Sequence, residues 1–428
     1  MTHLASRVPD PAVRRLTATL YGYAFLSDLV LLYPLYVVFF ADTGLSVGQI
    51  SSLFVVWSAA GILFEVPSGA WADVVSRRLL LCLAPLVTAA AFALWVLVPS
   101  YPAFAVGFLL WGAAGALVSG ALEALVWTEL DRLGAVGRYA RVLGRARTAG
   151  VLGVVCSGVL AGPVFAVGGY PVVGAASVLA CLFATVVATR FPEHRPSSAE
   201  VPGERVSGTA APADPDDGDL GWWDTLRAGV AQVRTRPPVR AAVLLVAVVT
   251  ADWGALDEFT PLLALDTGVG AQAVPLLLLL LWAGVTVGGL LAPAGERLSH
   301  RGYGALLCLV GVALAGGALL EHPAGFVLLA VAFGAAQLAT VLADARLQAR
   351  ITGSSRATVT SMAGMATDVL IIGTYVCFGL LATAAGNAVA FAVTAGPYLI
   401  VGLVVLTRHR RTTAAPAGVA AAAATGPD

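Results

Sequence analysis

The chain has 428 residues, 58% of them hydrophobic and 12% charged, and its formal net charge is +0 at pH 7. A mean hydropathy of +0.86, with charge at about half the level usual in soluble domains, excludes a soluble globular protein and predicts an integral membrane protein. The 47 glycines imply helices that approach closely through small residues, because lipid offers little hydrophobic drive for helix association.

Taken in chain order, segments long enough to cross about 30 Å of hydrocarbon at about 1.5 Å per residue fall at 17–41, 48–71, 79–98, 103–128, 145–167, 171–190, 240–265, 272–294, 303–320, 323–345, 357–383 and 387–407. They predict an all-α membrane protein of twelve transmembrane helices, since Gly and Pro inside a span do not by themselves end it. Every basic residue besides histidine is an arginine. The arginines cluster at Arg7 to Arg15, Arg77 and Arg78, Arg132 to Arg147, Arg190 to Arg240, Arg297 and Arg301, Arg346 to Arg356, and Arg408 to Arg411. Connections without arginine at 42–47, 99–102, 167–171, 266–272, 321–323 and 384–387 alternate with these clusters. The positive-inside rule then places both termini in the cytoplasm of a multi-pass plasma-membrane protein.

Residues 1–190 and 240–411 form two six-span halves, joined by a polar linker at 191–239 and followed by a tail at 412–428 that is expected to be disordered. Within the linker, WWDTLRAGVAQVR from Trp222 to Arg234 puts Trp222, Leu226, Val230 and Val233 on one face, the pattern of an amphipathic helix lying on a membrane surface. Cys82, Cys156, Cys181, Cys308 and Cys377 fall in apolar segments without CxxC spacing and are expected to be buried small residues. The five histidines are scattered, so neither a metal nor another cofactor is expected. The apolar stretch after Arg15 outruns the core of a cleavable signal peptide, and no nucleic-acid partner is expected.

The halves repeat one another. Asp28 lies in the first span and Asp252 lies 224 residues later in the seventh; the same offset carries Asp42-Thr43-Gly44 onto Asp266-Thr267-Gly268. Two similar hydrophobic halves, each with a carboxylate at membrane depth, suggest a secondary transporter. Glu65, Glu123, Asp257, Glu258 and Asp368 also fall inside spans. An ionised side chain costs several kcal/mol there, so these groups must face a cavity or a partner. A carboxyl that holds its proton in a poorly solvated place can bind and release it near neutral pH, which points to proton coupling. Asp28 and Asp252 are the first candidates, followed by Glu123, Asp368 and Glu65. Asp257 and Glu258 lie about 140° and about 120° from Asp252 on opposite sides of a helix, so the three cannot share one face. Tyr33, Tyr36, Trp57, Trp253 and Phe259 are candidates for the wall of a substrate cavity, because aromatic faces and carboxylates together select cations.

Between the second and third spans the chain reads GAWADVVSRR, from Gly69 to Arg78, with a degenerate copy APAGERLSHR from Ala292 to Arg301. The first resembles the loop motif of the major facilitator superfamily through Gly69, Asp73, Arg77 and Arg78, although Val74 and Ser76 replace a basic residue and a glycine of that pattern. The resemblance implies the major facilitator fold of two pseudo-symmetric six-helix halves. It also implies a role in locking the cytoplasmic gate for Gly69, Asp73, Arg77 and Arg78, and by symmetry for Glu296 and Arg297, with Arg132, Arg138 or Arg141 as a partner. Gly158, Gly162 and Pro163 in the fifth span resemble the Gly- and Pro-rich motif of proton-driven exporters in that superfamily. The fourth span, Phe108 to Gly120, departs from drug exporters in lacking an arginine.

The expected function is proton-coupled export of a small amphipathic or drug-like compound by alternating access, of the kind that underlies multidrug resistance. The partners are the substrate, protons and the bilayer, and the protein is expected to act as a monomer. Proton-coupled uptake of a small metabolite and a non-transporting membrane sensor are the alternatives. An enzyme is not expected, since no HExxH, phosphate loop or Cys/His arrangement is present.

Overall fold

The computed structural model describes residues 11–194, 222–351 and 356–413, and within these it leaves the side chains of 65–74, 222–226, 228–229, 357 and 408–413 undescribed. The 412–428 tail therefore lies almost wholly outside the described residues, as does the first part of the linker. Every regular element among the described residues is helical. The first half comprises α1 (Pro11–Asp28), α2 (Tyr36–Asp42), α3 (Val47–Val74), α4 (Arg77–Leu97), α5 (Tyr101–Val118), α6 (Ala121–Arg132) and α7 (Tyr139–Ala188). After α8 (Trp222–Thr235) come α9 (Pro237–Asp257), α10 (Thr260–Asp266), α11 (Val274–Leu290), α12 (Ala292–Gly295), α13 (His300–Leu319), α14 (Gly325–Gln348), α15 (Arg356–Ala385), α16 (Asn387–Thr394) and α17 (Gly396–Thr413).

Ten helical stretches among the described residues are long and apolar enough to cross a membrane. One of them, Val136–Ala188, holds two crossings, because Gly168 and Gly169 leave helical geometry within it (Gly169 φ 64°). The first span is helical on either side of a break: α1, 18 residues long, begins in a polar, arginine-bearing turn and is not apolar enough to count, and α2, with 7 residues, is too short. With these two adjustments the fold has twelve crossings.

Two spans expected to be continuous are broken, and proline is the cause. Proline lacks an N–H and clashes with the carbonyl four residues back. Pro34 disrupts the helix around Val30, leaving 29–35 outside regular helix, and Pro261 does the same at Asp257, where α9 stops. The backbone groups freed in the first break find partners, as lipid demands. The Ser157 hydroxyl donates to the Val30 carbonyl at 2.6 Å, and the Leu32 amide donates to the Ser177 oxygen at 3.0 Å.

The pieces that resume, α2 and α10, are each 7 residues long and sit at the same 224-residue offset as the repeated tripeptides. Both tripeptides close a helix in the same way. The Thr43 hydroxyl donates to the Phe40 carbonyl and that of Thr267 to the Ala264 carbonyl, each at 2.7 Å. Gly44 and Gly268 then turn the chain at φ 89° and 85°, a region glycine enters without strain.

Two compact units emerge from the packing. The first contains Met1–Thr225, Glu258–Leu279 and Ile371–Ala384; the second contains Leu226–Asp257, Leu280–Leu370 and Ala385–Asp428. Unit one is filled by rings from α2, α3, α4 and α5, among them the fully buried Phe40, Phe54, Trp95, Phe104 and Phe108. In unit two α13 is pressed against α17 through glycine: an added Cβ on Gly402 would lie 2.7 Å from the Cys308 sulfur. The cysteine expectation needs correction, since Cys181 is buried but Cys377 is exposed and the other three are intermediate. The outward face of a spanning helix meets acyl chains, so an apolar residue there loses nothing by exposure.

Candidate functional site: a carboxylate cavity and two sets of contacts between helices

Asp28 is the last residue of α1, and its position at the break turns it away from the helical ladder into a cavity of about 230 Å³. Tyr23, Ser27, Tyr33, Thr88 and Trp111 share the lining with it, so the walls carry three hydroxyls besides Tyr33's and one indole. Tyr33 stacks on Trp111 with centroids 5.3 Å apart and planes 12° apart, and Trp111 stacks in turn on Trp57 at 4.9 Å and 21°. Trp111 is the member that sequence reasoning missed; its signal was an indole in the interior of the fourth span. Helix α7 closes in beside the carboxylate because it presents glycine: a Cβ on Gly150 would collide with the Asp28 carboxylate, and one on Gly153 with the Phe25 carbonyl. The volume lies just below that of drug-sized pockets, which suits a small solute.

Tyr36 and Phe259, read as further cavity residues, lie elsewhere in the same unit, in closely packed contacts toward the arginine-free connections. The Tyr36 hydroxyl donates to the Glu258 carboxylate. Phe259 is fully buried and stacked on Phe378 at 3.8 Å and 18°, with Phe54 at 5.2 Å on another side. The Ser51 hydroxyl donates to the Tyr375 carbonyl. Here the fifth-span glycines have a packing role: a Cβ on Gly158 would lie 2.8 Å from Leu279, and one on Gly162 would run into the Gln272 carbonyl. Pro163 follows within the same helix. These contacts join α2, α3 and α7 to α10, the start of α11 and the end of α15, all within unit one.

Asp252 belongs to unit two. It is 8% exposed inside α9, five residues before the helix end that corresponds to Asp28, so the repeat does not give the two carboxylates equal local structure. Tyr398 lies within electrostatic reach of Asp252 and donates its hydroxyl to the Val249 carbonyl at 2.8 Å while accepting from the Trp253 amide at 3.2 Å. The Trp253 indole donates to the Thr340 hydroxyl at 3.1 Å. Asp257 takes a hydrogen bond from Trp282, and Asp368 is half-buried on α15. Asp257 and Glu258 diverge, one carboxylate meeting Trp282 and the other Tyr36, but not through the angles of a continuous helix, because α9 ends at Asp257 and Glu258 lies in the break after it.

At the arginine-bearing ends, Arg77 opens α4 and ties it to α6, donating to the Ala124 carbonyl at 3.3 Å and to the Thr128 hydroxyl at 3.1 Å. The start of α4 is capped by Glu193, which accepts the Arg77 amide at 2.7 Å and the Ser76 hydroxyl. Carboxylates suit this place because the first-turn amides and the helix dipole are positive there. Glu129, 1% exposed, accepts from the His194 amide at 2.9 Å and from Arg132 at 3.2 Å, with the His194 ring at 3.0 Å. Arg132 thus has Glu129 as its partner, and Glu129, Glu193 and His194 are contributors that the sequence reading passed over. Arg78, Glu123, Glu296 and Arg297 are exposed. The side chains of Glu65, Gly69 and Asp73 lie outside the described residues, although their backbone is helical.

Among solved structures, a mutant form of the nucleoside transporter NupG superposes with a TM-score of 0.69 at 12% identity, covering 93% of this chain and 99% of that one. A bacterial homolog to the human lysosomal transporter Spinster, in an inward-facing and unoccupied conformation, gives 0.66 at 14% identity over 94% of this chain and 95% of its own. A D-xylose-proton symporter gives 0.61 at 14% identity over 92% and 97%. No curated protein matches the chain in sequence. At these identities the likeness speaks to fold, which is that of membrane transporters. The sequence itself matches the Major Facilitator Superfamily over residues 18–366, and with the twelve-crossing helical fold in hand, the chain belongs to the major facilitator superfamily.

Proposed function

We propose that the protein is a secondary active transporter that exports a small amphipathic cation in exchange for protons, by alternating access, as a monomer in the plasma membrane with both termini cytoplasmic. The observation that carries the reading is the Asp28 cavity: one carboxylate, stacked Tyr33 and Trp111 faces and a few hydroxyls in a space of about 230 Å³. Aromatic faces attract a cation and the carboxylate neutralises it. A proton on Asp28 removes that attraction, so substrate and proton compete for one group, and competition of this kind produces exchange. Each unit of pH gradient supplies about 1.4 kcal/mol per proton, and each 100 mV about 2.3 kcal/mol. One or two protons are sufficient for a useful gradient.

Asp252, beside Tyr398 and Trp253, is assigned a second proton-linked position, with Asp368, Glu123 and Glu65 in supporting roles. The gate contacts of Arg77 and of Tyr36 with Glu258 hold alternate states together. A second reading is favoured by the cavity's hydroxyls from Tyr23, Ser27 and Thr88, which suit a polar metabolite taken up with protons. Proteoliposomes carrying an internal pH dye distinguish the two. Addition of an organic cation should move protons opposite to the substrate, and Asp28→Asn and Asp252→Asn should abolish that movement in folded protein. Protons travelling with the solute would establish the uptake reading, and wild-type fluxes in both variants would remove the carboxylates from the mechanism.

A further inference from the structure

Helices α11, α13 and α14, all in unit two, enclose an elongated cavity of about 480 Å³ to which the transport reading assigns nothing. Only aliphatic side chains and glycine line it. Its floor exists because two helices cross at backbone distance: a Cβ on Gly284 would collide with the Ala330 carbonyl, and one on Gly288 with the Gly334 carbonyl. Larger residues stand on either side as a rim. Leu280 and Val287 on α11, Leu291 just past its end, and Val327 and Val331 on α14 are 38% to 55% exposed, so the groove opens outward along the flank of the spanning helices.

Length and charge identify what fills it. From Leu280 to Leu291 the groove runs about 17 Å at 1.5 Å per residue, roughly half of a hydrocarbon layer about 30 Å thick, which is the depth of one leaflet. The Leu291 and Leu338 end adjoins the turn that carries the arginines, where a Cβ on Gly295 would lie 2.8 Å from Leu338. That turn holds Glu296, Arg297, His300 and Arg301, all exposed, and the two arginines outweigh the one carboxylate. A purely apolar slot one leaflet long that ends at a net positive turn matches a single kind of molecule. We propose that the groove seats one acyl chain of an anionic phospholipid whose headgroup phosphate rests at Arg297 and Arg301. The inference depends on membrane placement alone and is independent of substrate, coupling or direction.

The test is native mass spectrometry of the full-length purified protein, released from detergent in the presence of equal phosphatidylglycerol and phosphatidylcholine. Wild type should retain one phosphatidylglycerol in preference, by about fivefold for each net positive charge at the headgroup. Ala283→Phe and Val331→Trp each fill the slot from exposed positions and should remove the retained lipid. Two such variants on different helices guard against loss of folding in either one, which a single size-exclusion peak checks. Arg297→Gln with Arg301→Gln leaves Glu296 as the charge at that turn and should keep a bound lipid while abolishing the preference for phosphatidylglycerol. Retention of phosphatidylglycerol unchanged in both slot-filling variants would overturn the assignment. So would equal retention of the two lipids by wild type, or displacement of the lipid by a small organic cation at micromolar concentration, which would make the groove a route for solute.

Discussion

Removing the Tyr36 hydroxyl is the most informative single perturbation of this structure. Tyr36→Phe keeps the ring in its packing, where Phe40 at 5.6 Å and Phe108 at 6.0 Å surround it, and deletes the bond to Glu258. A hydrogen bond to a charged group contributes about 1.5–3 kcal/mol. If this contact helps hold α2 to the start of α10, its loss moves the balance between closed and open forms of that end by roughly ten- to hundredfold, at about 1.4 kcal/mol per decade. A closed form favoured by about 2 kcal/mol would then become comparable in population to the open one. Spin labels in the connections at 42–47 and 266–272 should report a second, longer distance population in Tyr36→Phe, and Glu258→Gln should show a weaker version because an amide still accepts. A single unchanged distance distribution in both variants would refute the claim that this bond holds the end closed.

Phe259→Ala empties a fully buried site stacked on Phe378 and should cost about 3–5 kcal/mol, read as a lowered unfolding temperature in detergent; a change below 1 kcal/mol would mean that the site collapses around the gap. Gly162→Val forces a side chain against the Gln272 carbonyl, and overpacking of about 1–3 kcal/mol should separate α7 from the segment before α11, measured as a longer distance between spin labels at 167–171 and 266–272. Glu129→Ala leaves the His194 amide without its acceptor, at about 1–3 kcal/mol, so hydrogen exchange at 191–194 should accelerate while the ends of α5 and α6 stay protected.

The twelve crossings were legible because composition and length decide them: a long apolar run at membrane depth must close its own hydrogen bonds, and a helix is the way for a single segment to do so. The helix at the end of the linker was legible as well, and α8 starts at Trp222 and ends one residue past the predicted Arg234. The breaks in the first and seventh spans were visible as Pro34 and Pro261, yet proline in a spanning helix kinks as often as it breaks. The break that Pro34 starts is sustained by Ser157 and Ser177, more than 120 residues away, which supply the partners that the opened backbone requires.

The candidate site was less legible. Asp28, Tyr33 and Trp57 were singled out from charge and ring chemistry, but Trp111 stacks on Tyr33 and Trp57 only because α5 passes at that distance. Tyr36, read as a cavity wall, bonds Glu258, a residue 222 positions on. Arg77 was found through a loop motif, whereas Glu193, Glu129 and His194 belong to no motif and act through long-range contacts.

The sequence by itself determined that this chain lives in a membrane, crosses it twelve times, repeats its halves at an offset of 224 residues and carries acidic groups at depth. Those properties depend on solvent, length and local backbone chemistry, which each segment carries within itself. Only the tertiary structure decided that Asp42-Thr43-Gly44 and Asp266-Thr267-Gly268 are equivalent helix ends while Asp28 and Asp252 are not equivalent carboxylates. A cap is made by residues three apart, but the surroundings of a buried carboxylate are built by whichever helices come to lie against it.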